Sequence, residues 1–526
     1  MRTLVHHMLR DSAERHGDRE ALVHREERLG FASFWRAADA LGNGLREAGV
    51  RRGDRVGVLL EPSVPLATSL FAIPAAGGAF VPIHHSLFPE QVEHVVRDSG
   101  MVGLVTDAAR FRRLLPVLQG CPDLRFVVLV GRGGDVEPSR LAVHDYGDLC
   151  AGPARAGDSP CIDRDLAAIL YTSGSTGRPK GVMLSHANII AGAEIVSEYL
   201  SIGPDDRILA VLPFSFDAGL NQLTTSVLRG GTCVLMKFLF AREIVTMLAR
   251  ERITGLAGVP PLWNLIAQDS SGLAQTPLPH LRYITNTGGA LPLPTLERLR
   301  ATLPGTDVVL MYGLTEAFRS TWLPPSELDR RPTSIGKAIP NTEILVLDGN
   351  GRPCAPGEIG ELVHRGPTVS MGYWGLPEQT ARVLRPNPLA PPGSAGELVC
   401  FSGDLVKMDE EGFLYFVGRR DNQIKSSGFR ISPTEVEQAL CRAGPLRDAA
   451  VIGVPDGMLG QKIKAFVVPR EGAQVDPDGL LTAVATLLPR HMVPHMVEVV
   501  DDLPKTTSGK IDYPALRRRE EARDGG

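Results

Sequence analysis

Short apolar runs recur along roughly the first third of the chain. Asp54 to Leu60, Ala79 to Ile83, Val102 to Thr106, Arg125 to Val130 and Leu166 to Leu170 are too short and too continuously apolar to be amphipathic helices. Between the runs lie stretches of a different pattern. Phe34 to Ala48 carries apolar residues at helical spacing and stops at Gly49. Strands that alternate with helices imply a layered α/β fold whose sheet is largely parallel. The feature predicts helices on both faces of buried strands. No short internal repeat or low-complexity segment interrupts the pattern.

At 526 residues the chain exceeds one ordinary domain, so two or three are expected. With 43% apolar and 22% charged residues it has the composition of a globular protein with ample core. A net charge of −4 leaves no basic excess and argues against a nucleic-acid partner held through its phosphates. The longest uncharged stretch, Pro62 to Pro89, is broken by Pro65, Pro74, Gly77, Gly78 and Pro82. It reads as a buried helix and a strand, and no membrane span is expected. Met1 to His7 has no signal-peptide pattern, and seven scattered Cys form no C-x-x-C. Both fit a reduced, cytoplasmic protein without a zinc site. His84 and His85 have no third ligand nearby in sequence and receive no role.

The strand at Leu166 runs into Thr172-Ser173-Gly174-Ser175-Thr176-Gly177-Arg178-Pro179-Lys180-Gly181. Glycines let several backbone N–H groups face one point, hydroxyls add donors, and Lys180 adds a mobile positive charge. That set suits a polyphosphate. It is not a Walker A loop, because Lys180 does not follow the second Gly directly and no Ser or Thr follows Lys180. Further on, Asp217 stands among aromatic and small residues at the end of an apolar run. Burying a carboxylate costs several kcal/mol unless something pairs with it. It is either the cap of a helix or a pocket acid that meets a substrate cation.

The loop resembles the phosphate loop of the adenylate-forming superfamily, which contains AMP-forming acyl-CoA synthetases, peptide-synthetase adenylation domains and firefly-type luciferases. The other motifs of that family follow in its order: Tyr312-Gly313-Leu314-Thr315-Glu316, then Ser402-Gly403-Asp404 with Ser for the usual Thr. Next come Gly418-Arg419-Arg420-Asp421-Asn422-Gln423-Ile424-Lys425-Ser426-Ser427-Gly428-Phe429-Arg430-Ile431 and Pro504-Lys505-Thr506-Thr507-Ser508-Gly509-Lys510. Gly360 to Val363 and Arg365 to Trp374 match another family signature and read as mainly structural. The run Phe214 to Gln222 looks most like stand-alone prolyl-carrier-protein ligases and exosortase A-associated ligases.

The resemblance implies a large N-terminal domain, residues 1–417, and a small α+β lid, residues 418–526, hinged near Asp421. It implies that ATP lies along Thr172, Ser173, Gly174, Ser175, Thr176, Gly177 and Lys180, with adenine against Gly288, Gly289 and Ala290 and stacked on Tyr312. Gly313 would line the nucleotide site, Thr315 would reach the α-phosphate, Glu316 would hold Mg²⁺, Asp404 would accept the ribose hydroxyls, Arg419 would contact ribose or phosphate, and Lys510 would be the catalytic cation. Lys425 and Gly428 would serve the thiol step. The acid pocket would be lined by Asp217, Ala218, Asn221, Gly258, Thr285, Thr287, Met311, Arg319 and Ser320. The implied chemistry converts an acid and ATP to acyl-AMP and pyrophosphate. The acyl group then passes to the thiol of CoA or of a carrier-protein phosphopantetheine presented in trans.

Asp217 favours an amino acid, whose amino group it would bind. Arg319 competes: it could hold a second carboxylate or simply pair with Asp217, and pairing favours a neutral acyl acid. A luciferase-like oxidative member and a non-catalytic homologue stay as alternatives. The charged tail after Leu516 is expected to fray.

Overall fold

A computed structural model describes residues 2–131, 139–154, 159–172, 179–393, 396–420, 424–426, 429–456, 459–506 and 509–524. The apolar runs are strands. Arg55–Leu59, Ala79–Pro82, Gly103–Asp107, Phe126–Val130 and Leu166–Thr172 lie side by side in a seven-stranded sheet that is parallel up to its last pair. Lys180–Ser185 closes it antiparallel to Leu166–Thr172, so the glycine-rich stretch joins two adjacent strands. A nine-stranded sheet holds Glu20–His24, Thr232–Leu235, Arg207–Ala210, Gly255–Gly258, Tyr283–Asn286 and Asp307–Tyr312 in parallel, with antiparallel strands at both margins.

Helices fill the space between the two sheets. One apolar cluster runs from Val56, Phe80 and Ala168 through helices to Leu22, Cys233 and Leu235, with four of them at its centre and Val5–His16 beside them. The four are Phe31–Glu47, Val64–Ala76, His186–Tyr199 and Asp217–Arg229. Val64–Ala76 is apolar on every side because it has neighbours on every side. Gly42 allows the first two helices to touch: a Cβ there would stand 2.9 Å from the Ala72 carbonyl oxygen.

A third, five-stranded sheet was not anticipated. Glu343–Leu347, Ile359–Arg365, Leu398–Met408, Leu384–Pro386 and Leu414–Arg419 pair antiparallel, and its last strand leads into the C-terminal unit. That unit folds Leu446–Asp456, Gly460–Pro469, Ile424–Ser426, Phe429–Ile431 and Met496–Val499 into another five-stranded sheet. Helices Pro433–Ala443, Pro477–Val484 and Tyr513–Asp524 pack on it. Its two apolar clusters draw only on residues from Ile424 onward.

The tail does not fray as expected. It is the helix Tyr513–Asp524, and two acidic side chains pin it. Glu520 meets the buried Lys464 at 2.6 Å, and Arg523 meets Glu498 at 2.8 Å. A run of charges looks solvated in sequence, but here part of it faces a buried lysine that needs anions. Among the described residues no helix is long and apolar enough to cross a membrane.

Candidate active site

Parallel strands deliver their C-terminal ends to one edge, where open α/β sheets bind ligands. Thr172 ends one such strand, and Lys180 opens the strand that returns. Ser173, Gly174, Ser175, Thr176 and Gly177 lie outside the described residues, as do Asp421, Gly428 and the side chain of Lys425. The Lys180 ammonium sits 5.5 Å from the ring centroid of Tyr373. Burial and the neighbouring Glu316 hold the Tyr373 phenol protonated, so its hydroxyl donates to Glu316 Oε1, at 2.6 Å. Glu316 is thus fixed by one oxygen, within the short 3₁₀ turn Thr315–Ala317.

Tyr373 was missed as a site residue in the sequence, although its motif was visible. Met371, Tyr373 and Trp374 follow the return strand: Met371 N–H donates to the Met183 carbonyl at 2.9 Å and Trp374 N–H to the Gly181 carbonyl at 2.8 Å. That backbone pairing delivers the Tyr373 ring to Lys180 and Glu316.

Asp404 and Tyr312 come together on the other side. The Tyr312 hydroxyl donates to Asp404 Oδ2 at 2.5 Å, and Arg419 Nε lies 3.2 Å from Oδ1. Burial raises the Asp404 carboxyl above the ordinary range, while Arg419, the Tyr312 hydroxyl and Lys510 favour its charged form. Lys510 therefore reaches this centre from the C-terminal unit. Its Cε lies 3.3 Å from where a Cβ on Gly288 would stand, and Val259 Cγ1 lies 3.4 Å from the same point. Gly288 has φ +78°, which disfavours any side chain, and the bare backbone leaves a slot beneath the lysine. Gly289 and Ala290 are exposed beside it.

Asn221, Thr285, Thr287, Met311 and Ser320 are buried, while Ala218 is half-buried at the start of its helix. The indole edge of Trp263 stands 2.6 to 2.8 Å from where a Cβ on Gly258 would be, so only Gly fits there. Asp217 is the first residue of its helix, not its cap, which is Phe216. Its carboxylate pairs with Arg319: Nη1 to Oδ2 is 3.2 Å, with side-chain exposures of 18% and 5%.

Phe318 aims this arginine. It has φ +50° and ψ −37°, a strained conformation for a bulky residue, yet it is fully buried. Gly192 makes room for its ring, because a Cβ on Gly192 would stand 2.2 Å from Phe318 Cδ1. The next turn is held by His364, whose Nδ1 meets Ser320 Oγ and whose Nε2 meets Thr368 Oγ1, both at 3.0 Å. Thr368 in turn donates to the Arg319 carbonyl at 3.2 Å. Burial pushes His364 down to about 3, so it is neutral at ordinary pH. Among the described residues, Arg319 Nε and Asn221 Nδ2 are buried donors without acceptors.

The chain resembles known proteins along nearly its whole length. The AMP-binding enzyme family model matches residues 9–374, and that of the AMP-binding enzyme C-terminal domain matches residues 435–510. The chain is similar to a feruloyl-CoA synthase of Amycolatopsis, at 34% identity over 95% of each chain. It is 31% identical to gramicidin S synthase 2 of Brevibacillus brevis, over 94% of this chain and 10% of that much longer one. Among solved structures, ATP-bound MatB of Rhodopseudomonas palustris superposes with a TM-score of 0.87 at 27% identity, covering 98% of both chains. The anthranilate CoA ligase AuaEII with anthranoyl-AMP gives 0.89 at 25% identity, covering 99% of this chain and 98% of that one. The chain belongs to the AMP-binding enzyme family, the adenylate-forming superfamily, and is an AMP-forming acid–thiol ligase.

Proposed function

We propose that the protein activates an acid that carries no ammonium group near its carboxylate and transfers the acyl group to CoA. The carrying observation is the Asp217–Arg319 pair at 3.2 Å. An amino-acid pocket needs an unspent carboxylate for the ammonium. Here the charge is already balanced, and an ammonium beside Asp217 would also stand beside a guanidinium, in surroundings that screen little. Asp217 and Asn221 share a helix face at i, i+4, and the buried donors Asn221 Nδ2 and Arg319 Nε lack acceptors. They favour a substrate tail that carries an acceptor atom. The feruloyl-CoA and anthranilate-CoA relatives support an aryl acid and CoA as acceptor.

The first half-reaction joins two anions, a carboxylate and the α-phosphate of ATP, so catalysis rests on alignment and charge neutralisation. Lys510 lies over Gly288 and is the cation for the developing charge. Thr172 and Lys180 flank the loop that holds the leaving pyrophosphate, Thr315 reaches the α-phosphate, and Asp404 with Arg419 receives the ribose. Glu316 fits Mg²⁺, which takes one or two carboxylates besides phosphate oxygens: Tyr373 occupies Oε1 and leaves Oε2 for the ion. Bound Mg²⁺ supplies further neutralisation of the phosphates. For the second half-reaction residues 418–526 turn about Asp421, withdrawing Lys510 and bringing the segment near Lys425 and Gly428 to the thiol. The separate apolar clusters after Ile424 support that division.

The test incubates the purified protein with ATP, Mg²⁺, CoA and one acid from a panel of benzoate, anthranilate, ferulate and short fatty acids. The expected products are AMP, pyrophosphate and an acyl-CoA in equal amounts. Acyl-AMP that accumulates without consuming CoA would contradict the acceptor.

A further inference from the structure

Lys510 projects from a loop that closes on itself. Thr506 N–H donates to the Lys510 carbonyl at 2.7 Å, Gly509 N–H to the Thr506 carbonyl at 2.9 Å, and Asp512 N–H to the Pro504 carbonyl at 2.8 Å. Thr506 Oγ1 also accepts from Lys510 N–H at 3.2 Å. These bonds shape the loop but do not fix it to its own domain. Apolar contacts do part of that: Leu503, Ile511, Tyr513 and Leu516 pack with Ile452, Val454, Phe466 and Val468. Such packing restrains the loop less directionally than a hydrogen bond.

A polar attachment follows at Tyr513, three residues after Lys510. Its hydroxyl donates to Glu437 Oε1 at 2.7 Å, and the same oxygen accepts the Val451 N–H at 2.8 Å. Glu437 lies on the helix Pro433–Ala443, Val451 on the edge strand Leu446–Asp456, and Tyr513 begins the terminal helix. One carboxyl oxygen thus ties three elements at the root of the lysine loop. Its burial raises Glu437 to about 7 although both bonds favour the charged form, and no cation is among the groups that shift it. A carboxyl held at that cost, with Asp448 as a second acid nearby, calls for a reason.

We infer that Glu437 and Tyr513 are positioning residues for the first half-reaction: together they hold the Lys510 loop at the angle and height from which the ammonium reaches the α-phosphate. This rests on the reading of Lys510 as the adenylation cation. Neither side chain touches substrate. Their effect is expected to be confined to the step that uses Lys510, on the reading above that gives the thiol step to the segment near Lys425 and Gly428.

The test separates the two half-reactions, using whichever panel acid gives the fastest ATP–pyrophosphate exchange. Tyr513→Phe and Glu437→Ala are expected to slow exchange about ten- to a hundredfold, as a shift of about 1 Å can do. The KM for ATP is expected to stay within about twofold. Thiolysis of supplied acyl-AMP by CoA keeps the wild-type rate. Glu437→Gln, whose amide oxygen can accept both bonds, restores most of the exchange rate. Equal slowing of both half-reactions would assign the pair a merely structural role, and unchanged exchange in both variants would remove it altogether. Lys510→Ala is the control: if that variant exchanges at the wild-type rate, the reading of Lys510 fails, and the positioning inference with it.

Discussion

The nucleotide side and the acid side of the site are built from the same kind of parts, yet sequence reads them unequally. On the nucleotide side, motif residues meet other motif residues. Asp404 meets Arg419 fifteen positions along, across paired strands, and Glu316 meets Tyr373 from another motif of the same series. On the acid side, the informative residue was Asp217, and its meaning changed once Arg319 arrived from 102 positions away. A carboxylate advertises a binding site only while its charge is unspent. The local sequence displays the charge but not its distant balance.

Breaking the nucleotide side should have the largest effect. Lys510→Ala is expected to slow adenylation about 10²- to 10³-fold, the range for removing one charge-stabilising donor, as measured by ATP–pyrophosphate exchange. On the acid side, Arg319→Leu strands Asp217 in a largely buried setting. A loss of about 3 kcal/mol is expected from denaturant unfolding, at the low end for a broken buried pair because Asp217 keeps 18% side-chain exposure. The double variant Asp217→Ala with Arg319→Leu should recover most of that loss, since no unpaired charge remains. If the single variant is as stable as wild type, the pair is not the balance described here.

A smaller effect is expected at the slot. Gly288→Ala forces a side chain into φ +78° and against the Lys510 Cε at 3.3 Å. A cost of about 1–2 kcal/mol follows, read as a loss of stability in denaturant unfolding. The smallest effect concerns pH. The folded protein holds His364 near 3, below the ordinary value of 6.5, so it takes up a proton more readily when unfolded. Stability from this group is therefore full above about pH 6.5 and lost progressively as pH falls toward 3. His364→Leu should reduce the pH dependence of stability between pH 6 and 5 by about 1.4 kcal/mol per unit, in denaturant titrations at each pH. An unchanged slope would mean that His364 is charged in the folded protein.

Much of the architecture was legible because it depends on local pattern. The runs at Arg125 to Val130 and Leu166 to Leu170 became central strands, and Gly49 follows the helix Phe31–Glu47 closely. The antiparallel third sheet was hidden, because Leu398–Met408 is interrupted by Ser402, Gly403 and Asp404 and its partners come from turn-rich sequence. The tail after Leu516 was misread because its helix is held by Lys464 and Glu498, which no local pattern links to it. Tyr373 was quoted as part of a structural turn, and only the pairing of its segment with Lys180–Ser185 brings it to Glu316. Phe318 carried no signal at all, since its strained turn depends on the notch that Gly192 leaves in a helix far away in the chain.

The most direct measurement is ATP–pyrophosphate exchange for wild type and Asp217→Ala, with twenty amino acids set against the panel of aryl and short fatty acids. Exchange driven by an aryl or acyl acid, with no amino acid active, is the predicted result for the wild type. Exchange driven by one amino acid and lost selectively in Asp217→Ala would contradict the account, because it would show that Asp217 binds an ammonium despite Arg319.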